Sequence, residues 1–172
     1  MQFMLWYAVP FIGRASRAWN ALQGYLLGFD ARLGAGVLDP RYPQVREYLL
    51  QKYVQAIRDW RVDGLKLDFI DAFLVTNPSM KPGRDTQSVE RAVVQLLDTV
   101  AQEIRRINPN ALIEFRQPYI GPMMGRWASM LRAGDCPVDA IANRTRTLTM
   151  RLILSLEFRT SITLCIQMRT RL

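Results

Sequence analysis

Histidine is absent from this sequence, cysteine occurs only twice, and there is no long apolar run. Without an imidazole, no catalytic triad that depends on a histidine base can form. Cys136 and Cys165 do not have the spacing of a metal-binding pair, so neither a zinc site nor a disulfide framework is expected. The opening MQFMLWYAVPFIG lacks the basic flank and the cleavage site of a secretory signal. We therefore expect no metal, no cofactor, no membrane partner and a cytoplasmic location.

The composition indicates a globular chain with a basic end. Its 172 residues are 49% apolar, which is enough for one domain with a buried core. Much of the net charge of +8 comes from residues 141–172, where six arginines stand against one glutamate. Because that segment has no interleaved aromatic platform and no known nucleic-acid motif, we expect no nucleic-acid partner.

The residues after Arg151 differ in character from those before it. The sequence LILSLEFRTSITLCIQMRTRL contains no Gly, Pro, Asp or Asn, the residues that mark turns in the rest of the chain. We therefore predict a folded part at 1–151 and an atypical basic tail at 152–172, as a truncated or frameshifted end would give. An ordinary amphipathic helix followed by a strand is the alternative.

Apolar strand-like runs alternate with amphipathic helical segments along the chain. Strands are predicted at FMLWYAV (3–9), GLKLDFI (64–70) and ALIEFR (111–116), and a loop-like stretch rich in glycine and aromatics follows the first. A helix is predicted within 38–60, with Asp39 and Pro40 as start signals. Its expected buried stripe is Val45, Tyr48, Leu49, Ala56, Ile57 and Trp60. A second helix at 88–107 is expected to bury Val89, Val93, Leu96, Val100, Ile104 and Ile107.

After the third strand, GPMMGRWASML is predicted to begin a short helix, and a fourth strand–helix unit is predicted to start near Leu131. This alternation predicts a parallel α/β fold. Either an open doubly wound sheet or part of a (β/α)₈ barrel would satisfy it. No strand is followed by a glycine-rich phosphate-binding loop, which argues against the open nucleotide-binding sheet.

Charged residues stand late in two of the predicted strands. Lys66 and Asp68 are two residues apart and project to one face, and the same holds for Glu114 and Arg116. In α/β barrels the carboxyl ends of strands form the active-site face. A lysine beside Asp68 would keep the carboxylate ionised, as a nucleophile requires. The alternatives are a salt bridge that closes the end of a strand and an aspartate that caps a helix.

A third charged cluster lies in MLRAGDCPVDAIANR, which contains Arg132, Asp135 and Asp139. A loop ion pair is the simplest explanation of it. Together with Asp68, however, Asp135 would supply the two carboxyl groups of glycoside hydrolysis, in which one attacks the anomeric carbon and the other protonates the leaving oxygen. This chemistry needs neither histidine nor a metal.

Four segments in order, VLDPRYPQVREYL, DGLKLDF, IEFRQPYIGP and RAGDCPVDAIANR, resemble the catalytic barrel of the melibiase-type α-galactosidases of glycoside hydrolase family 36. The similarity runs from about residue 3 to about residue 151. It implies a partial TIM (β/α)₈ barrel comprising about strands 3 to 6 with their helices.

The same resemblance assigns roles to residues of this chain. It implies that Asp68 is the catalytic nucleophile, that Asp135 is the general acid/base, and that Lys66, Arg132, Arg116 and Trp6 bind the substrate. The acid usually follows the arginine by four residues in this family, whereas the separation from Arg132 to Asp135 is three. Asp139 therefore remains an alternative acid/base.

The implied function is retaining hydrolysis of terminal α-galactosides, with an α-galactoside as the partner. Because the first two and last two barrel strands are not in this sequence, we expect the isolated chain to be weakly active or inactive. The alternative is a non-catalytic barrel fragment that binds sugar weakly or associates with itself through open barrel edges.

Overall fold

The computed structural model describes residues 2–116, 121–132, 140–153 and 159–161. The chain divides into two compact units, Met1–Leu112 and Ile113–Leu172, which are described separately below. Within the part of the chain that the structure describes, no helix is long and apolar enough to cross a membrane.

The first unit is built on two parallel strands, β1 (Met4–Ala8) and β5 (Gly64–Asp68). Met4 is opposite Gly64, and Ala8 is opposite Asp68. Strand β5 is buried almost throughout, as expected of a strand covered on both faces. Both strands were predicted from their apolar runs, but β5 ends at Asp68 and a 3₁₀ helix over Ile70–Ala72 follows it.

The stretch predicted as a loop after β1 contains a second, antiparallel sheet. Its strands are β2 (Phe11–Gly13), β3 (Leu26–Asp30) and β4 (Ala35–Leu38), in the order β2-β4-β3, with helix α1 (Trp19–Leu22) between β2 and β3. These strands have three to five residues and include glycine. Each is therefore too short to show an alternating apolar pattern in the sequence. Gly34, at φ 60, permits the turn from β3 to β4.

Helix α2 (Pro43–Arg58) begins later than predicted. Pro43 occupies the first turn, where a missing N–H costs little. Asp39 and Pro40 precede the helix and do not cap it. Of the predicted stripe, Val45, Leu49, Ala56 and Ile57 are buried, Tyr48 is half-buried, and Trp60, which lies beyond the helix end, is 58% exposed.

Helix α3 (Val89–Ile107) begins where the sequence predicted, because Ser88 caps it. The Ser88 hydroxyl oxygen accepts a hydrogen bond from the Arg91 N–H at 3.1 Å. The helix contacts α2, and its apolar face is largely buried. Four of the predicted residues, Val89, Leu96, Val100 and Ile104, are buried, whereas Val93 and Ile107 are half-buried.

Apart from Leu112, the second unit contains the parallel strands β6 (Leu112–Arg116), β7 (Met130–Arg132) and β8 (Arg159–Ser161), and β7 pairs with both others. The segment predicted to begin a short helix forms a 3₁₀ helix over Pro122–Arg126, and helix α4 covers Ala140–Ile153. Helix α4 and β8 extend into 152–172, the segment predicted as an atypical tail.

Gly64→Ala is expected to destabilise the first unit by about 1–3 kcal/mol, because it adds a methyl group where the packing leaves no space. A Cβ at this position would lie 2.7 Å from Leu112 Cβ and closer still to the Leu112 carbonyl oxygen. Backbone atoms cannot move aside as a flexible side chain can. Urea unfolding of the full chain measures the loss.

Gly13→Ala is the matched control, since Gly13 also lies in a strand and a Cβ there would have no neighbour within 4 Å. Equal midpoints for Gly64→Ala and Gly13→Ala would contradict the expected clash.

Candidate functional site

Asp68 lies at the carboxyl end of β5 and is only 4% exposed. Its two carboxylate oxygens have different donors. Oδ2 accepts a hydrogen bond from the Trp6 indole Nε1 at 2.8 Å, and Oδ1 accepts one from the Phe69 backbone N–H at 2.8 Å. A carboxylate held by N–H donors is stabilised in its charged form.

Lys66 lies on the same face of β5 as Asp68, as the two-residue period predicts. Its Nζ is 3.4 Å from Asp68 Oδ2, the oxygen that also accepts from Trp6. The lysine side chain is 23% exposed, so the cation is partly shielded from water. A partly buried cation at this distance favours the ionised carboxylate.

Trp6 reaches Asp68 from the neighbouring strand β1, where it is opposite Lys66 in the parallel register. The indole N–H points to the carboxylate, yet the residue is 53% exposed. An indole that is fixed by its N–H and open to solvent is available to contact a ligand. The structure thus brings together three of the predicted site residues, Trp6, Lys66 and Asp68.

The residue after Asp68 has an unusual backbone conformation. Phe69 has φ 61 and ψ 30, in the left-handed region that costs a non-glycine residue about 1–2 kcal/mol. No sequence pattern predicted it, because Phe69 and Ile70 continue the apolar run of the strand. Strained backbone of this kind concentrates at functional sites.

In the second unit, Glu114 and Arg132 are both buried, at 6% and 4% exposure. Arg132 Nε lies 3.7 Å from Glu114 Oε1. Arg116 is opposite Arg132 in the parallel register of β6 and β7. Sequence reasoning grouped Glu114 with Arg116 and did not predict the ion pair with Arg132. The two candidate acids, Asp135 and Asp139, lie outside the described residues.

A buried ionic cluster precedes α2 and was also missed. Asp39 is fully buried and accepts hydrogen bonds from Arg41 Nε at 2.9 Å and Nη2 at 2.7 Å. Arg84 Nε lies 3.5 Å from Asp39 Oδ2. The hydrogen bond to Asp39 raises the pKa of Arg41 above its ordinary value. An Asp and an Arg two residues apart near a helix start are the only signal that the sequence offered.

The described residues contain no group of three or more Asp, Glu, Cys or His side chains that could hold a metal ion. Asp68 has a lysine ammonium and two N–H donors around it, which are suited to orienting an anion. The described part of this site therefore holds one carboxylate beside an accessible aromatic ring.

Comparison with protein-family models and with curated proteins gives no match. Solved structures do match. The α-galactosidase AgaA of Geobacillus stearothermophilus, from glycoside hydrolase family 36, superposes with a TM-score of 0.69 at 18% identity, covering 90% of this chain and 22% of that chain. The α-galactosidase of Lactobacillus brevis gives 0.59 at 20% identity, covering 88% and 21%. The galactosidase domain of the α-galactosidase–sucrose kinase AgaSK gives 0.61 at 19%, covering 88% and 21%.

The fold matches part of a family 36 α-galactosidase. The predicted fold class is thereby confirmed: the chain is a mixed α/β protein with parallel strands and helices that matches part of the barrel region of these enzymes. This chain spans about a fifth of the length of the structures it matches. At this level of identity the likeness establishes the fold.

Proposed function

We propose that this chain carries the nucleophile of a retaining glycosidase site that acts on terminal α-galactosides. The observation that carries the proposal is the environment of Asp68, a buried carboxylate at the carboxyl end of a parallel strand. It is held by the Trp6 indole and the Phe69 N–H, and Lys66 Nζ lies 3.4 Å away. The carboxyl ends of such strands are where barrel enzymes place their chemistry.

In this proposal an Asp68 oxygen attacks the anomeric carbon and displaces the leaving group, which gives a covalent glycosyl ester. Lys66 keeps the carboxylate ionised and offers N–H donors to sugar hydroxyls. The exposed face of Trp6 contacts the apolar face of the sugar ring. Each of these roles uses a side-chain position that the structure describes.

The second carboxyl group is proposed to be Asp135, with Asp139 as the alternative. In a retaining site it would lie about 5–5.5 Å from Asp68 and would protonate the leaving oxygen. Arg132 and Arg116 are proposed to bind substrate hydroxyls. The division into a catalytic part at 1–151 and a basic tail at 152–172 also remains a proposal.

The substrate class is supported by what the matched enzymes bind. Structures of AgaA variants contain raffinose and stachyose, at TM-scores of 0.61 and 0.64 with this chain. We propose an α-galactoside of this kind as the ligand here. Since the chain spans 22% of AgaA, we expect slow turnover by the 172 residues alone.

A trapping reagent tests the proposal without requiring turnover. A galactosyl fluoride with a second fluorine on its ring forms a C–O bond to the nucleophile as the C–F bond breaks and fluoride leaves. The ring fluorine then slows hydrolysis of the ester. We expect intact-protein mass spectrometry to show one added fluorogalactosyl group, and peptide mapping to place it on Asp68.

Labelling elsewhere, or none at high reagent concentration, would overturn the assignment of Asp68 as nucleophile. A chain that is not labelled but binds galactose in a titration would support the non-catalytic alternative. The corresponding glucosyl fluoride is the control for sugar specificity, and we expect it to label Asp68 more slowly than the galactosyl reagent does.

A further inference from the structure

Phe69 contributes to the environment of Asp68 through two contacts. Its backbone N–H donates to Asp68 Oδ1 at 2.8 Å. Its ring packs edge-on against Trp6, with centroids 6.2 Å apart and planes at 74°. Trp6 is the residue whose indole donates to the other oxygen, Oδ2. Phe69 therefore supplies one of the two donors to this carboxylate and packs against the residue that supplies the other.

The ring of Phe69 also packs edge-on against Phe11, at 5.6 Å and 70°. Phe11 belongs to β2, and Trp6 belongs to β1. The Phe69 ring is thus in contact with aromatic rings from two strands, β1 and β2. Edge-to-face contacts between aromatic rings are attractive and orient the rings.

The left-handed conformation of Phe69 links these two contacts. Once the N–H is directed at Asp68, rotation about the N–Cα bond decides where the side chain lies. At φ 61 the ring is placed against Trp6 and Phe11. The ordinary negative φ would direct the ring elsewhere and leave the exposed indole of Trp6 without this contact.

We infer that Phe69 is the positioning residue of this site: it holds one oxygen of Asp68 directly and the other through the Trp6 indole. The inference rests on the proposed function for its catalytic consequence, because it takes Asp68 as the nucleophile. A carboxylate held at both oxygens keeps one orientation, and a fixed orientation is what an in-line attack on a sugar requires.

The test is the hydrogen bond itself, measured by NMR on the full chain without sugar. The chain has four tryptophans and so four indole N–H resonances, of which Trp6→Phe identifies one. We expect the Trp6 indole proton to be shifted downfield and slow to exchange with solvent. Asp68→Asn should move this resonance, because the acceptor loses its charge.

Phe69→Ala is expected to shift the Trp6 indole resonance and to accelerate its exchange about tenfold, as loss of a hydrogen bond to a charged acceptor would. Phe69→Tyr keeps the ring and should retain the wild-type signature. Phe69→Gly also removes the ring while easing the left-handed backbone, so it gives the answer if the alanine variant does not fold.

The chain offers a matched control in Trp19 and Phe29, which form a similar edge-on pair at 6.1 Å and 79°. Phe29→Ala should change the Trp19 resonance and leave that of Trp6 in place. A folded Phe69→Ala or Phe69→Gly variant with the wild-type Trp6 shift and exchange rate would overturn the inference.

The trapping reagent separates this inference from the proposed function. We expect Phe69→Ala to be labelled at Asp68 about tenfold more slowly than the wild type, and Phe69→Tyr at the wild-type rate. If the wild type is not labelled but the NMR signature depends on Phe69 as described, the proposed function fails and the positioning of the carboxylate stands.

Discussion

Asp39→Ala is expected to destabilise the first unit by about 3–5 kcal/mol, the usual cost of leaving one partner of a buried ion pair without the other. Asp39 is fully buried, and Arg41 is only 8% exposed. Three donors of Arg41 reach the carboxylate, namely its backbone N–H at 3.0 Å, Nε at 2.9 Å and Nη2 at 2.7 Å. Removing the carboxylate leaves a guanidinium in the interior with its main acceptor gone.

The loss of stability would extend beyond the Asp39–Arg41 pair, because Arg41 also connects the segment before α2 to the segment before α3. The Asp85 N–H donates to the Arg41 carbonyl at 3.2 Å, and Arg41 Nη1 donates to the Gln87 carbonyl at 3.5 Å. Gln87 immediately precedes Ser88, the cap of α3. We therefore expect the start of α3 to loosen together with the segment that leads into α2.

Urea unfolding followed by circular dichroism measures the effect on the full chain. Adding Arg41→Met to Asp39→Ala removes the buried charge, and we expect this double variant to recover part of the lost stability. Glu103→Ala is the control, because it breaks an exposed ion pair with Arg106 and should barely change the midpoint. An Asp39→Ala variant no less stable than Glu103→Ala would contradict the role of the cluster.

Asp68→Asn is expected to reduce trapping by the fluorinated galactosyl fluoride at least about 1,000-fold, the scale that follows removal of a covalent nucleophile. The amide has nearly the same shape as the carboxylate, and its oxygen can still accept from the Trp6 indole. It lacks the negative charge and so does not attack the anomeric carbon. The substitution therefore tests the chemistry with little change in packing.

Asp71→Asn is the matched control, since Asp71 lies three residues further along, is exposed and belongs to the 3₁₀ helix after β5. We expect it to be labelled at the wild-type rate. Thermal unfolding of both variants would show whether either has lost its fold. Undiminished labelling of a folded Asp68→Asn variant would exclude Asp68 as the nucleophile.

Local features of the chain were predictable because they depend on residues near one another in sequence. The apolar runs marked β1, β5 and β6, and the helical spacing of apolar residues marked α3. The two-residue period of a strand is sufficient by itself to place Lys66 and Asp68 on one face. The antiparallel strands within 11–38 are too short to show the two-residue alternation that would have predicted them.

Tertiary structure alone decided how Asp68 is held. The Trp6 indole and the Asp68 carboxylate are 62 residues apart, and they meet only because β1 and β5 pair with Trp6 opposite Lys66. A shift of one residue in that register would turn Trp6 to the other face of the sheet. The register between β1 and β5 and the left-handed conformation of Phe69 depend on packing between segments that are distant in sequence. The periodicity of a strand or a helix depends only on residues that are close in sequence.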